Sequence, residues 1–141
     1  MKSLTFLPVI AALVWLGGCN GDVNSSSPSA PIEAGTISGT VRLAPNASGT
    51  VDGTIVYIYT SREDAMLMRP TVNTVADQWG DFSFAAVYPG KYYIGLWKDN
   101  DFDGVLDSGD FGTDRSNHEN CCCNVNSGCN TAIYPYVYVI P

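Results

Sequence analysis

The chain has 141 residues, 14 acidic against 7 basic, with a formal net charge of −7 and 45% hydrophobic residues. That length holds one ordinary domain, and an acidic chain without a basic cluster excludes nucleic acid and anionic lipid headgroups as partners. His118 is the only histidine and no serine or cysteine elbow motif occurs, so nucleophilic catalysis lacks its usual apparatus and a non-enzymatic protein is expected.

The first 18 residues read as a secretory signal. Met1-Lys2 gives a basic start, Leu4 to Leu16 a mostly apolar run, and Leu16-Gly17-Gly18-Cys19 a small-residue ending. The run is short of the roughly 20 residues that span a bilayer. Leu-Gly-Gly-Cys resembles the lipobox of bacterial lipoproteins. That resemblance implies cleavage before Cys19, diacylglycerol on its sulfur and a partner membrane reached through the lipid. Two or more acyl chains anchor firmly where one holds only marginally. Asn20 is not the aspartate that marks inner-membrane retention in enteric bacteria, so the resemblance points to the outer membrane, on its periplasmic or surface face. Residues 19–35 follow as a Ser/Pro/Gly/Asn-rich tether with too few apolar side chains to offset ordering entropy. Loss of Lys2 with the signal leaves 6 basic residues against 14 acidic.

From residue 36 to residue 141 short strands alternate with turns. Thr36–Ala44 places Ile37, Gly39, Val41 and Leu43 on one face, and Pro45-Asn46 and Asp52-Gly53 mark turns. Thr54–Thr60 is β-branched and aromatic, as a central strand is. Ser61–Met68 is the one stretch suited to a short helix, which Pro70 stops. Strands are predicted at Thr71–Ala76, Asp81–Val87, Lys91–Trp97 and Ala132–Ile140. Six or seven strands with Gly/Pro punctuation predict an all-β, Greek-key β-sandwich. Within Asp81–Val87, Phe82 and Phe84 share the inner face with Val87 closing the strand. Pro89-Gly90 suits a hairpin turn with positive φ at the glycine.

The run DQWGDFSFAAVYPGKYYIGLW, Asp77 to Trp97, resembles the core signature of carboxypeptidase regulatory-like domains, the transthyretin-like (prealbumin-like) sandwich. Gly80 matches the turn glycine, Phe82 and Phe84 the inward aromatics, Pro89-Gly90 the turn and Tyr92 the first strand tyrosine. ISGTV (Ile37–Val41) and VYIY (Val56–Tyr59) suit the first two strands. The resemblance implies a fold and no particular activity, since such domains serve as accessory, adhesive or structural modules.

The segment after Trp97, KDNDFDGVLDSGD, has aspartates at positions 1, 3, 5, 9 and 12 counted from Asp99, and Gly104 at position 6. This is the ligand rhythm of an EF-hand calcium loop, without the flanking helices. A calcium-bearing loop on a β-sandwich is similar to those of Ser-Asp-repeat adhesin B domains. That likeness implies side-chain oxygens from Asp99, Asp101 and Asp103, the Val105 carbonyl, Asp107 directly or through water, and Asp110 closing the sphere. Asp110 is shorter than the usual glutamate, which lowers bidentate reach. The plain alternative is a solvated acidic loop.

Four cysteines remain, Cys121, Cys122, Cys123 and Cys129. Every full pairing joins two members of the triplet, and adjacent Cα atoms lie about 3.8 Å apart against a usual disulfide span of about 4.4–6.8 Å. The expectation is one ordinary bond to Cys129, with the second vicinal or absent. A Cys121/Cys123/Cys129/His118 zinc site is the alternative, though its spacing is not a standard one. Tyr134, Tyr136 and Tyr138 share one face of the last strand, either covering a sheet or stacking on a glycan or protein partner. The sequence thus supports a calcium-stabilised structural or adhesive envelope module, or else an accessory carbohydrate- or small-ligand-binding subunit of an envelope assembly.

Overall fold

A computed structural model describes residues 31–113 and 122–141. The expectations for the signal and the lipidated Cys19 lie outside these residues, as do those for His118 and Cys121. Among these residues ten strands form: β1 (Gly35–Thr40), β2 (Arg42–Leu43), β3 (Ile55–Tyr59), β4 (Val72–Val75), β5 (Asp81–Val87), β6 (Gly90–Lys98), β7 (Phe111–Gly112), β8 (Cys122–Val125), β9 (Asn130–Ile133) and β10 (Tyr136–Val139). A short helix, α1 (Arg62–Met66), is capped where Ser61 Oγ accepts from the Asp64 amide at 3.0 Å and donates to its carboxylate. Among the described residues, no helix is long and apolar enough to cross a membrane.

The strands form a three-stranded sheet, β5-β1-β9, and a seven-stranded sheet, β2-β10-β7-β6-β3-β4 with β8 also on β6. The fold is therefore an all-β sandwich, as the turn spacing predicted, but with ten strands rather than six or seven. The predicted strand Thr36–Ala44 breaks at Val41, and Ala132–Ile140 breaks at Tyr134-Pro135. Each piece changes sheet at its break. β1 pairs with β9 in parallel in the small sheet, and β2 pairs with β10 in parallel in the large one. Proline lacks the N–H that a ladder needs, so the crossing falls on Pro135, whose carbonyl still accepts from the Arg42 amide at 2.9 Å. β7 has only two residues, Phe111 and Gly112, and β8 opens on two cysteines, so neither announces a strand in the sequence.

The core lies between the sheets, with Ile37, Val56, Ile58, Phe82, Phe84, Ile94, Leu96 and Val137 buried. Phe82 and Phe84 meet edge-on, centroids 6.1 Å apart. Val87 joins them on the inner face although it is three residues from Phe84, an odd step that would normally turn it outward. A β-bulge resolves this: Ile37 faces Phe84 while Gly35 faces Val87, and Ala86 takes a left-handed φ of 56°. The expected hairpin at Pro89-Gly90 is corrected here. β5 and β6 lie in different sheets, so this connection crosses the sandwich, and Gly90 opens β6 without a positive φ.

The turn before β5 is held by Asp77, whose Oδ1 accepts from the Trp79 and Asp81 amides, both at 2.9 Å. Gly80 there has φ 86°, and a Cβ on it would sit 2.5 Å from the Val41 carbonyl oxygen. The Gly80 carbonyl in turn accepts from the Val41 amide at the point where the first strand changes sheet. Gly80→Ala should therefore destabilise the fold by about 1–3 kcal/mol. Chemical denaturation checks this; an unchanged midpoint would remove the turn from the list of features that fix the crossing.

Candidate functional site

β6 is the longest strand and runs straight into the acidic loop. Its inner residues, Ile94 and Leu96, are buried, while Tyr93, Gly95 and Trp97 lie on the outer face of the large sheet. Lys98 closes the strand, its Nζ donating to the carbonyl and hydroxyl oxygens of Thr50 at 2.7 and 2.8 Å. The loop thus starts from a fixed point.

Within the loop the carboxylates first organise the backbone. Asp99 accepts from the Phe102 amide at 2.6 Å and the Gly104 amide at 2.8 Å, one on each oxygen. Asp103 accepts from Val105 at 2.7 Å, and Asp101 accepts more weakly from Asp103 at 3.3 Å. Phe102 and Gly104 have left-handed φ values of 63° and 79°. The second agrees with the glycine expected at position 6. Folded this way, Asp99, Asp101 and Asp103 each bring a carboxylate oxygen within 4.8 Å of the others.

The other proposed ligands are placed differently. Val105 and Asp107 are exposed farther along the loop. Asp110 is buried, 1% exposed, and stands outside the three-carboxylate group. Its Oδ1 accepts from the Asn100 amide at 2.8 Å and its Oδ2 from Trp97 Nε1 at 3.0 Å. Asn100 Nδ2 also donates to the Gly109 carbonyl at 2.8 Å, and the Asp110 and Ile140 backbones join at 2.8 Å. Both ends of the loop are therefore tied to one buried carboxylate. The separation of thirteen residues hides the Trp97–Asp110 bond from sequence patterning. A Trp on the strand entering the loop and an Asp just before the strand leaving it were the only signal.

The two carboxyls titrate in opposite directions. Burial raises the Asp110 pKa, but the Asn100 amide, the Trp97 indole and the Asp107 backbone outweigh it, so the carboxyl sits below its ordinary value. For Asp101 the hydrogen bond from the Asp103 backbone acts to lower the pKa. Desolvation, the charges of Asp103 and Asp107 and a hydrogen bond with Asp99 together prevail and raise it.

Cys123 lies on β8 opposite Tyr92 and is buried in the core, while Cys129 is half-buried just before β9. Cys121, His118 and the side chain of Cys122 lie outside the described residues, and with them the expected disulfide and the alternative zinc site. Tyr134, Tyr136 and Tyr138 are exposed by 55, 42 and 41%, flanking the fully buried Val137. The Arg42 guanidinium stands 4.7 Å above the Tyr134 ring centroid.

No protein-family model matches the chain, and no curated protein matches it in sequence. Two solved structures are similar to it. One is a proposed carbohydrate-binding protein from Pseudomonas aeruginosa, at 15% identity and a TM-score of 0.46, covering 74% of this chain and 89% of that one. The other is a DUF3823 family protein from Parabacteroides merdae, at 18% identity and a TM-score of 0.42, covering 76% of this chain and 47% of that one. Identities this low carry no residue-to-residue correspondence.

Opposite shifts give opposite pH dependences. Asp110, lowered by folding, contributes stability above its unfolded pKa and loses it as pH falls through the folded value. Asp101, raised by folding, favours the fold at low pH and loses that contribution as pH rises through its folded value. In chelator at pH 7, Asp110→Asn should cost about 1–3 kcal/mol through weakened charge-assisted hydrogen bonds, whereas Asp101→Asn should raise the melting temperature. Melting curves from pH 3 to pH 8 check both signs.

Proposed function

We propose that the protein is a non-enzymatic, calcium-stabilised lipoprotein of the bacterial envelope, anchored to the outer membrane through Cys19 and serving as a structural or binding module. The observation that carries the calcium reading is the convergence of Asp99, Asp101 and Asp103 within 4.8 Å. Calcium binds oxygens at about 2.3–2.6 Å, so oxygens across one ion stand at most about 5 Å apart. Three carboxylates at this spacing fit a single coordination sphere. The Val105 carbonyl, Asp107 and water are the remaining donors this loop offers. Asp110 would join only by giving up Asn100 or Trp97, so its role in this reading is to hold the loop's ends.

Calcium would supply positive charge amid the gathered carboxylates of Asp99, Asp101 and Asp103. The loop joins two strands of one sheet and has no flanking helix to swing, so a filled loop clamps where an EF-hand sensor opens. One bond from Cys129 to the cysteine triplet belongs to the same reading, since exported cysteines meet an oxidising compartment.

A second reading rests on the exposed tyrosines. Tyr134, Tyr136 and Tyr138 are all exposed along the C-terminal segment, suited to stacking against a glycan or a protein partner in an accessory subunit.

Ligand that binds only the folded form stabilises it by about 2.7 kcal/mol at 100 times its Kd. Calcium should therefore raise the melting temperature of the wild-type protein by several degrees or more, with chelator reversing it. The double variant Asp101→Ala/Asp103→Ala should not respond. Melting curves that coincide with and without calcium would remove the ion from the proposal.

A further inference from the structure

The large sheet ends at β4, which among the described residues pairs on one side only, with β3. A strand with an open side is a template for another chain, and proteins ordinarily guard it with charge, proline, a bulge or extreme shortness. The other edges carry such guards or a neighbour. β2 has two residues and opens on Arg42, β5 has the bulge at Ala86, and β9 is joined to β8 where Thr131 Oγ1 donates to the Asn124 carbonyl at 3.1 Å. β4 reads Val-Asn-Thr-Val, uncharged, and pairs with β3 in unbroken register.

The ladder shows which backbone groups the open side presents. Along an antiparallel strand these groups alternate between the two sides. Leu96 directs its amide and its carbonyl to Thr113, on the β7 side of β6. Gly95 and Trp97 therefore face β3, where they meet Tyr57 and Ile55. Val56 and Ile58 are left to face β4, where they meet Thr74 and Val72. The Ala76 amide, donating to the Thr54 carbonyl at 2.8 Å, keeps the same alternation. Asn73 and Val75 thus turn their N–H and C=O groups outward.

The side chains of this edge select the partner. Val72 stands opposite the buried Ile58 on the inner face yet is 46% exposed, and Val75, opposite Ile55 on the outer face, is 58% exposed. Met66, Leu67 and Met68, in the segment leading to β4, are exposed as well. The two ends of the edge carry opposite charges. Exposed Arg69 lies four residues before Asn73, and exposed Asp77 four residues after it. Asp77 Oδ1 holds the turn before β5, so Oδ2 is the oxygen it can offer a cation. An identical edge laid antiparallel brings each Arg69 to the end that bears the other copy's Asp77. A parallel copy would bring like charge to like.

We propose that two copies of this chain pair through β4, antiparallel about a two-fold axis at Asn73, so that their large sheets become one. At the axis the two Asn73 residues exchange N–H···O bonds. The same register sets Val72 beside the second copy's Thr74 on the inner face and Val75 beside its Thr71 on the outer face, pairs that stabilise a ladder. It also sets Arg69 level with the second copy's Asp77. Each copy uses up its own edge, so assembly closes at two. The pairing requires neither a cation in the acidic loop nor a lipid anchor.

The test is sedimentation velocity of the full chain in density-matched detergent with chelator, from about 10 to 500 µM, where weak, small interfaces report. A dimer should form as concentration rises. Asn73→Pro removes one outward donor, at an edge position of the kind proline tolerates, and should raise the dimer Kd tenfold or more while the melting curve by circular dichroism stays that of a folded chain. Val75→Lys puts a charge on the open edge and should do the same; it decides alone should Asn73→Pro fail to fold. Arg69→Glu sets like charges together at both ends and should weaken pairing at least threefold, less so at high salt. The proposal is overturned if the chain stays monomeric throughout, if Asn73→Pro and Val75→Lys dimerise as the wild type does, if Arg69→Glu pairs as tightly as wild type, or if assembly passes beyond two copies. Dimers indifferent to the edge variants would mark two anchors sharing a micelle, or another surface.

Discussion

The arrangement of this end of the molecule depends on one buried carboxylate. Asp110 receives the Trp97 indole from the outer face of β6 and the Asn100 amide from the start of the acidic loop, and its own backbone pairs with Ile140. A buried carboxylate without donors would be forced toward neutrality. With these donors it stays charged and becomes a knot for three separate pieces of chain. With its ends held, the loop between residues 99 and 110 has less freedom to lose when its remaining acids are ordered.

Those remaining acids are crowded. Three carboxylates share a space of a few ångströms at the tip of an acidic domain, and their first partners are backbone amides of the same loop. Amides orient the carboxylates and leave the mutual repulsion largely in place. Such a cluster differs from an ordinary solvated acidic face, where side chains spread apart at little cost. Here the left-handed backbone at Phe102 and Gly104 keeps them together.

Much of the sandwich was legible in the sequence because its long strands carry plain periodicities. Asp81–Val87 matches β5 to the residue, and Lys91–Trp97 differs from β6 by one residue at each end. What failed was the assumption that a strand stays in one sheet. Val41 and Pro135 each interrupt an apolar alternation that reads as continuous, and only the partner strand reveals the change of sheet. The bulge at Ala86 escaped for a related reason: alanine gives no local sign that it will take a positive φ. In the acidic loop, the sequence grouped Asp99, Asp101, Asp103, Val105, Asp107 and Asp110, of which the structure draws the first three carboxylates together. It could not show that Asp110 turns toward Trp97, since that depends on how far β6 and β7 bring the loop's ends together.

The paired crossings have a consequence for the order in which the chain can fold. β1 lies between β5 and β9, and Thr36 pairs with Asn130, 94 positions along the chain. Long-range parallel pairing of this kind is slow to form, because a large loop must close before any contact compensates for it. One edge of β1 must wait for residues 130–133 while the other can zip early against β5. A chain emerging N-terminus first would therefore remain an incomplete sandwich until nearly its whole length is free. Residues 130–133 would act as the latch.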